Sequence, residues 1–504
     1  MTQGILPFKY ENEKQKGKMT GFGGLPVYLD LSHASGLTRS IERHLNASSK
    51  TQGWTDSQVV TSLILLNLSG GECVEDLNHL ENDEGLCRIL RKSQKHSMSR
   101  QQRRAFLRRW RKGQQRTVPS PSAAFRYLSE FHDDEQEGLR ETGKAFIPVP
   151  NKHLKGFQKV NKDFLFFVQK QNPHKTATLD MDATLVETTK SEALYCYKGY
   201  KSYQPFNTWW SEQGIIVHTE FRDGNVPAGF EQLRVFKEGL RLLSEGVEEV
   251  RVRSDTAGYQ HDFLKYCAMG KNKRFGKIKF AIGCDVTQEF KKAVSEIPDS
   301  EWSPLIRKGR KTNKEWAEVC FVPNAIGHSK KGPEYRYIAT REVMNEQLII
   351  SGTVEEKEYP FPTMAMEKKK YKVFGIVTNM DWDGQELILW FYKRCGKSEE
   401  VHSVMKEDLA GGKLPSDDFG VNAAWWWIMV LALNLNGAMK SLVLGKTWVN
   451  KRMKAIRFHL INLPARVMER SRELRVRLPR NHPCLDWLVR IRARIAGFAL
   501  DSPG

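Results

Sequence analysis

A mixed α/β core, interrupted by a β-rich insertion and flanked by a helical N-terminal region and a basic C-terminal segment, is the fold class the sequence predicts. Three observations carry that prediction. Apolar positions up to about residue 130 recur at helical spacing, those from residue 176 onward run or alternate as in strands, and positive charge collects in two blocks outside this strand-rich middle. The 504 residues, 40% hydrophobic and 10% aromatic, are too apolar for a disordered chain and long enough to bury a core without disulfide or metal staples.

The elements follow in order. Thr55 or Asp56 supplies an N-cap for the apolar run Val59 to Leu66, which Gly70-Gly71 ends, and Ser120 or Ser122 caps a further start at 118–131. Strand patterns begin with TATLDMDATL (176–185), interrupted only by Asp180 and Asp182. A second strand is expected within Ala193 to Tyr203, and a third is GIIVHTEF (214–221). Pro227 opens an amphipathic helix with apolar Phe230, Leu233, Phe236, Leu240 and Leu243. VEEVRVRSD (247–255) is the fourth strand and ends in Asp255. Three strands, a helix and a fourth strand, with acids in the first and at the end of the fourth, form the order of a ribonuclease-H-like core.

Between Asp255 and Asp383, strand-like pieces such as GKIKFAIG, WAEVCFVP and YKVFGIVTN read as a β-rich insertion. Asp383, with Glu386 three residues on, then caps a long helix expected to run to about Leu409. The run NAAWWWIMVLALNL (422–435) reads as a buried helix under the core. The expected divisions are a helical DNA-binding region at 1–150, core at 165–270, insertion at 271–375, the last part of the core at 376–436 and a basic segment at 437–504.

Lys and Arg total 79 against 59 acids, a net charge of +20, which favours a polyanionic partner. Arg88 to Arg116 holds twelve Lys/Arg and no acid, and Lys440 to Arg494 holds fifteen against three acids. Two such blocks favour nucleic acid, with Arg103, Arg104 and Arg108 as phosphate contacts. The longest unbroken apolar run, Ala423 to Leu433, has eleven residues, short of the roughly 20 that cross a bilayer, so no membrane partner is expected. The first eighteen residues show no apolar leader pattern, and the eight cysteines form no C-x-x-C pair. A cytoplasmic setting is expected, and zinc is not suggested.

Tyr392, Glu399 and Lys406 lie seven residues apart, which on one continuous helix puts them on one stripe within roughly 20° per step. The pattern Tyr392-x2-Cys395-x3-Glu399-x6-Lys406 resembles the Tyr-x2-Arg-x3-Glu-x6-Lys signature of bacterial insertion-sequence transposases of the DDE type, with cysteine in the arginine position and Arg394 one place earlier. LDMDAT (179–184) and VRSDTAGY (252–259) resemble that group's first two acidic motifs. Asn379, the turn 222–225 and the apolar helix after 420 add to the likeness, which spans about 55–480 and is nearest the insertion-sequence family numbered thirteen-eighty.

The resemblance implies that Asp182, Asp255 and Glu399 are the catalytic acids. Asp180 is the alternative to Asp182, which is preferred because Ala183-Thr184 completes the Asp-x-Thr pattern. It also implies two Mg²⁺ or Mn²⁺ ions. In-line displacement at phosphorus needs an activated oxygen and a stabilised leaving oxygen, and hard cations supplying both take carboxylate ligands. Tyr392, Arg394 and Lys406 would contact DNA. The implied protein binds double-stranded DNA, as element ends and target, and works as a homodimer. It resides in a bacterial cytoplasm, nucleoid-associated when bound. Two alternatives stay open: a DNA-binding protein with a decayed core, and a nuclease without strand transfer.

Overall fold

The structure is a computed structural model that describes residues 18–48, 53–96, 100–101, 103–104, 116–323, 333–344, 359, 361–366, 369–394, 396–471 and 473–500. Its strands are β1 (Lys18–Thr20), β2 (Thr176–Ala183), β3 (Val186–Glu187), β4 (Ser202–Tyr203), β5 (Phe206–Trp210), β6 (Ile215–Glu220), β7 (Glu249–Ser254), β8 (Lys279–Cys284), β9 (Ser303–Arg307), β10 (Arg310–Val319), β11 (Arg336–Val343), β12 (Thr363–Met366), β13 (Lys369–Thr378), β14 (Ala465–Arg470) and β15 (Glu473–Arg477).

A large mixed sheet organises the middle of the chain, in the order β6-β5-β2-β7-β8-β13-β11-β10-β9, with β12 also on β13. β5 and β6 form an antiparallel hairpin beside β2, whereas β2, β7 and β8 run parallel. Parallel neighbours need a crossover, and the helix Gln232–Leu242 lies in the chain between β6 and β7. Its apolar side buries Val235, Phe236 and Leu240.

Three sequence readings change here. The second core strand is β5, not a strand within 193–203, where only Ser202–Tyr203 is extended into a two-residue strand. Lys- and Gly-containing turns break that stretch, and Gly199 has φ +83°. The 227–231 segment is a turn, and the helix begins after Glu231, which has φ 50°. The stretch read as an insertion also does not stand apart. β8 pairs in parallel with β7, and β13 pairs antiparallel with β8, so β9–β13 extend the same sheet.

The helix Phe419–Ala438 is the centre of the core, with all twenty residues buried. With its continuation to Leu444 it is long and apolar enough to cross a membrane, yet 78% of its most apolar stretch is enclosed by protein. Its polar residues serve the fold. β6 is an edge strand whose outer backbone groups would lie unpaired under apolar cover, a costly state. Asn434 accepts from the Ile216 N–H at 2.7 Å and donates to its carbonyl at 2.8 Å, and Asn161 donates to the carbonyls of Ile216 and Val217.

The chain's two ends meet. β1 pairs with β14 and β14 with β15 in a three-stranded sheet, and the helix Glu84–His96 packs against β1 and β14. Several cations of the basic C-terminal segment turn inward: Arg457 donates to the carbonyls of Asn67 and Leu68 at the end of the helix Asp56–Ser69, and Arg452 pairs with Asp408 at 3.0 Å. The Thr55 hydroxyl and the Gln58 side chain close a capping box on that helix, so the cap is Thr55 rather than Asp56.

Candidate active site

β2 and β7 run parallel with Asp180 opposite Arg253 and Met181 opposite Ser254, so Asp182 and Asp255 leave adjacent strands at the same end. This end, where parallel strands finish and loops begin, is where α/β folds usually place chemistry. The two acids of β2 have different surroundings. Asp180 is buried, and Arg253 grips it with two bonds, Nε to Oδ1 at 2.6 Å and Nη2 to Oδ2 at 2.8 Å. Arg253 also donates to the carbonyl of Trp390. Asp180 is therefore committed to the fold.

Asp182 keeps its side chain 22% exposed instead. Arg394 Nη2 stands 3.2 Å from its Oδ1 and 3.9 Å from Oδ2 of Asp255, so one guanidinium serves both carboxylates. Burial pushes the Asp182 carboxyl up to about 6; Arg394 opposes that rise, and Asp255 and Asp180 add to it. Asp255 is about half exposed, and its Oδ1 accepts from the N–H of Ala257, fixing the turn after β7.

Among the described residues, Glu399 forms no metal-holding cluster with them. The long helix expected from 383 to 409 is two: Gly384–Tyr392, and Lys397–Ser403 continuing as a π-helical turn Val404–Asp408. Gly396 at φ +77° separates them. The break destroys the seven-residue stripe, because each segment has its own axis. Tyr392 ends the first helix with its hydroxyl 3.3 Å from Thr340 Oγ1 and Lys314 Nζ 5.0 Å from its ring centre. Glu399 is exposed, and Glu400 beside it pairs with Lys397 at 3.2 Å. Lys406 is half-buried and donates to the carbonyl of Leu185 at 3.2 Å, just beyond β2. Arg394, read from the sequence as a DNA contact, is 7% exposed and faces the acids. Arg103 and Arg104 are exposed, whereas Arg108 and Cys395 lie outside the described residues.

His402 was missed by sequence reasoning. It is buried beside Asp182, with Nδ1 4.0 Å from Oδ2 and Nε2 3.3 Å from Asn207 Nδ2. Burial, with Lys406 and Arg394 nearby, lowers its pKa to about 4, so it is neutral at pH 7. Its place three residues after Glu399, within one short helix, was the available signal. As a metal site, the two strand-end acids fit: both are hard oxygen donors that already share one positive group. Among the described residues, no three His, Cys, Asp or Glu side chains converge to hold a metal.

A family model described as Transposase DDE domain group 1 matches residues 11–499. No curated protein sequence matches the chain. Among solved structures, a piggyBac transposase synaptic complex with hairpin DNA is similar at 10% identity and a TM-score of 0.43, over 97% of this chain and 85% of that chain.

Proposed function

Because this chain belongs to the DDE-domain group 1 transposases, we propose that it binds the terminal inverted repeats of a mobile element and catalyses metal-dependent cleavage and joining of DNA. The observation that supports this most is the pair of acids at the ends of β2 and β7, gathered on one guanidinium. The order β6-β5-β2-β7-β8, antiparallel then parallel, supports a ribonuclease-H-like core. The signature around Glu399 supports an insertion-sequence enzyme of the thirteen-eighty kind, acting as a homodimer on double-stranded DNA.

In this reading Asp182, Asp255 and Glu399 would hold Mg²⁺ or Mn²⁺, which when bound would supply an activated oxygen and neutralise the leaving one. Arg394 holds the place of positive charge between the strand acids until then, and Lys406 lies close enough to the end of β2 to meet a phosphate. The test is purified protein with Mg²⁺ or Mn²⁺ and duplex DNA carrying the element's terminal repeats. Nicking followed by joined product is expected. Asp182→Ala, Asp255→Ala and Glu399→Ala should each lower cleavage by at least about a hundredfold and leave binding intact. A variant that still cuts removes its residue from the set.

One observation favours a second reading, a DNA-binding protein whose chemistry has decayed: the third acid is exposed while an arginine sits on the other two. Specific binding without cleavage in either metal would select it.

A further inference from the structure

A directed chain of hydrogen bonds runs from the central helix to His402, which stands beside Asp182. Trp426 Nε1 donates to Thr219 Oγ1 at 2.9 Å. Thr219 Oγ1 donates to Asn207 Oδ1 at 2.7 Å, and Asn207 Nδ2 stands 3.3 Å from His402 Nε2. His402 Nδ1 then lies 4.0 Å from Asp182 Oδ2, just beyond a direct hydrogen bond. Asn207 is also the cross-strand partner of Asp182, so sheet register sets this link of the relay beside the acid.

The direction follows from chemistry. An indole N–H can only donate, so Thr219 must accept from it. The Thr219 hydroxyl has a single proton, which goes to Asn207 Oδ1. That leaves the Asn207 amide N–H₂ facing the imidazole, so His402 Nε2 is the acceptor and carries no proton. A neutral imidazole has one N–H, and it must therefore be on Nδ1. The reverse orientation would strand the Thr219 proton in a buried site and set the Nδ1 lone pair against a carboxylate oxygen, and each fault is costly.

We propose that His402 is a positioning residue for Asp182, held as the Nδ1–H tautomer by Trp426, Thr219 and Asn207. It is a donor, not a metal ligand, because its carboxylate-facing nitrogen is protonated. It steadies Oδ2 of Asp182 and leaves Oδ1, the oxygen now facing Arg394, as the one that changes partners. The role rests on Asp182 being catalytic, but the tautomer does not.

The test therefore has two arms. In full-length protein labelled with ¹⁵N-histidine, with His402 identified by its loss in His402→Asn, long-range ¹H–¹⁵N spectra at pH 7 should show Nε2 bare and Nδ1 protonated. Asn207→Leu, which removes the donor and keeps the ring, should release a mixture of tautomers. A protonated Nε2 in the parent protein, or no change in Asn207→Leu, overturns the relay.

The second arm compares cleavage. Asparagine places an amide nitrogen near the position of Nδ1, and glutamine near that of Nε2. His402→Asn should keep cleavage within about tenfold, while His402→Gln loses about a hundredfold with DNA binding unchanged. Equal activity of the two overturns the positioning role. If the parent protein binds but never cuts, the transposase reading fails on its own, and the spectra still decide the relay.

Discussion

The strand ends of β2 and β7 and the segment 393–408 both carry the residues of the proposed site, but they hold them differently. On the strands, register sets position: Asp180 opposite Arg253 fixes where Asp182 and Asp255 emerge. On the segment, a helix stops at Tyr392 and another starts at Lys397, with a positive-φ glycine between. Asp182 and Asp255 share Arg394, and Asp255 also accepts from the Ala257 N–H, whereas Glu399 is exposed. A sheet places chemistry by many shared backbone bonds, while a short helix after a glycine places it through a few soft torsions. Two acids are fixed, and the third is adjustable.

The largest expected effect breaks the fixed side. Arg253→Met leaves Asp180 a buried charge with no partner and should cost about 3–5 kcal/mol in urea unfolding. Asp180→Asn with Arg253→Met should recover much of that loss. Glu399→Ala, by contrast, should change stability by no more than about 0.5 kcal/mol while removing cleavage. If Arg253→Met unfolds no more easily than Glu399→Ala, the contrast between the regions fails.

A second prediction concerns the crossover helix between β6 and β7. Burial would raise the Glu238 carboxyl, but His218 at 3.2 Å and Arg234 at 2.9 Å outweigh it and bring the pKa down to about 2. A carboxylate depressed in the fold contributes stability above its unfolded pKa and loses it as pH falls through the folded value. Glu238→Gln should therefore cost about 2 kcal/mol at pH 7. Thermal unfolding measured from pH 7 to pH 2 should show that difference shrinking below about pH 4.5, the ordinary glutamate value. A difference independent of pH would assign the loss to packing.

The same division explains what the sequence disclosed. β2, β6 and β7 were legible because their apolar runs match the strand period over most of their length. The sequence prefers Asp182 to Asp180 by its following residues; in the structure Asp180 is paired with Arg253, while the Asp182 side chain stays partly exposed. β5 was misplaced by several residues because FNTWW is nearly all buried and lacks alternation. The break at Gly396 was hidden because Tyr392 before it and Glu399 and Lys406 after it kept a seven-residue rhythm that looked like one helix. His402 and Asn207 could not be paired from sequence at all: they lie 195 residues apart, one on a short helix and one on β5, and meet only through tertiary packing.

The smallest expected effect tests the adjustable side. At φ +77° a side chain on residue 396 is strained, although an added Cβ would meet nothing within 4 Å. Gly396→Ala should therefore cost about 1 kcal/mol through backbone strain alone. Relief of that strain would turn the chain toward helical torsions and draw Arg394, two residues earlier, away from the acids. Arg394 is the group that holds the Asp182 carboxyl down against burial. Its withdrawal should move the Asp182 midpoint above about 6, readable by ¹³C-carboxyl titration, while the Asp180–Arg253 pair stays intact. A lower stability with an unmoved Asp182 midpoint would show that Arg394 is anchored by the acids rather than by the turn, and the adjustable region would then begin only after residue 396.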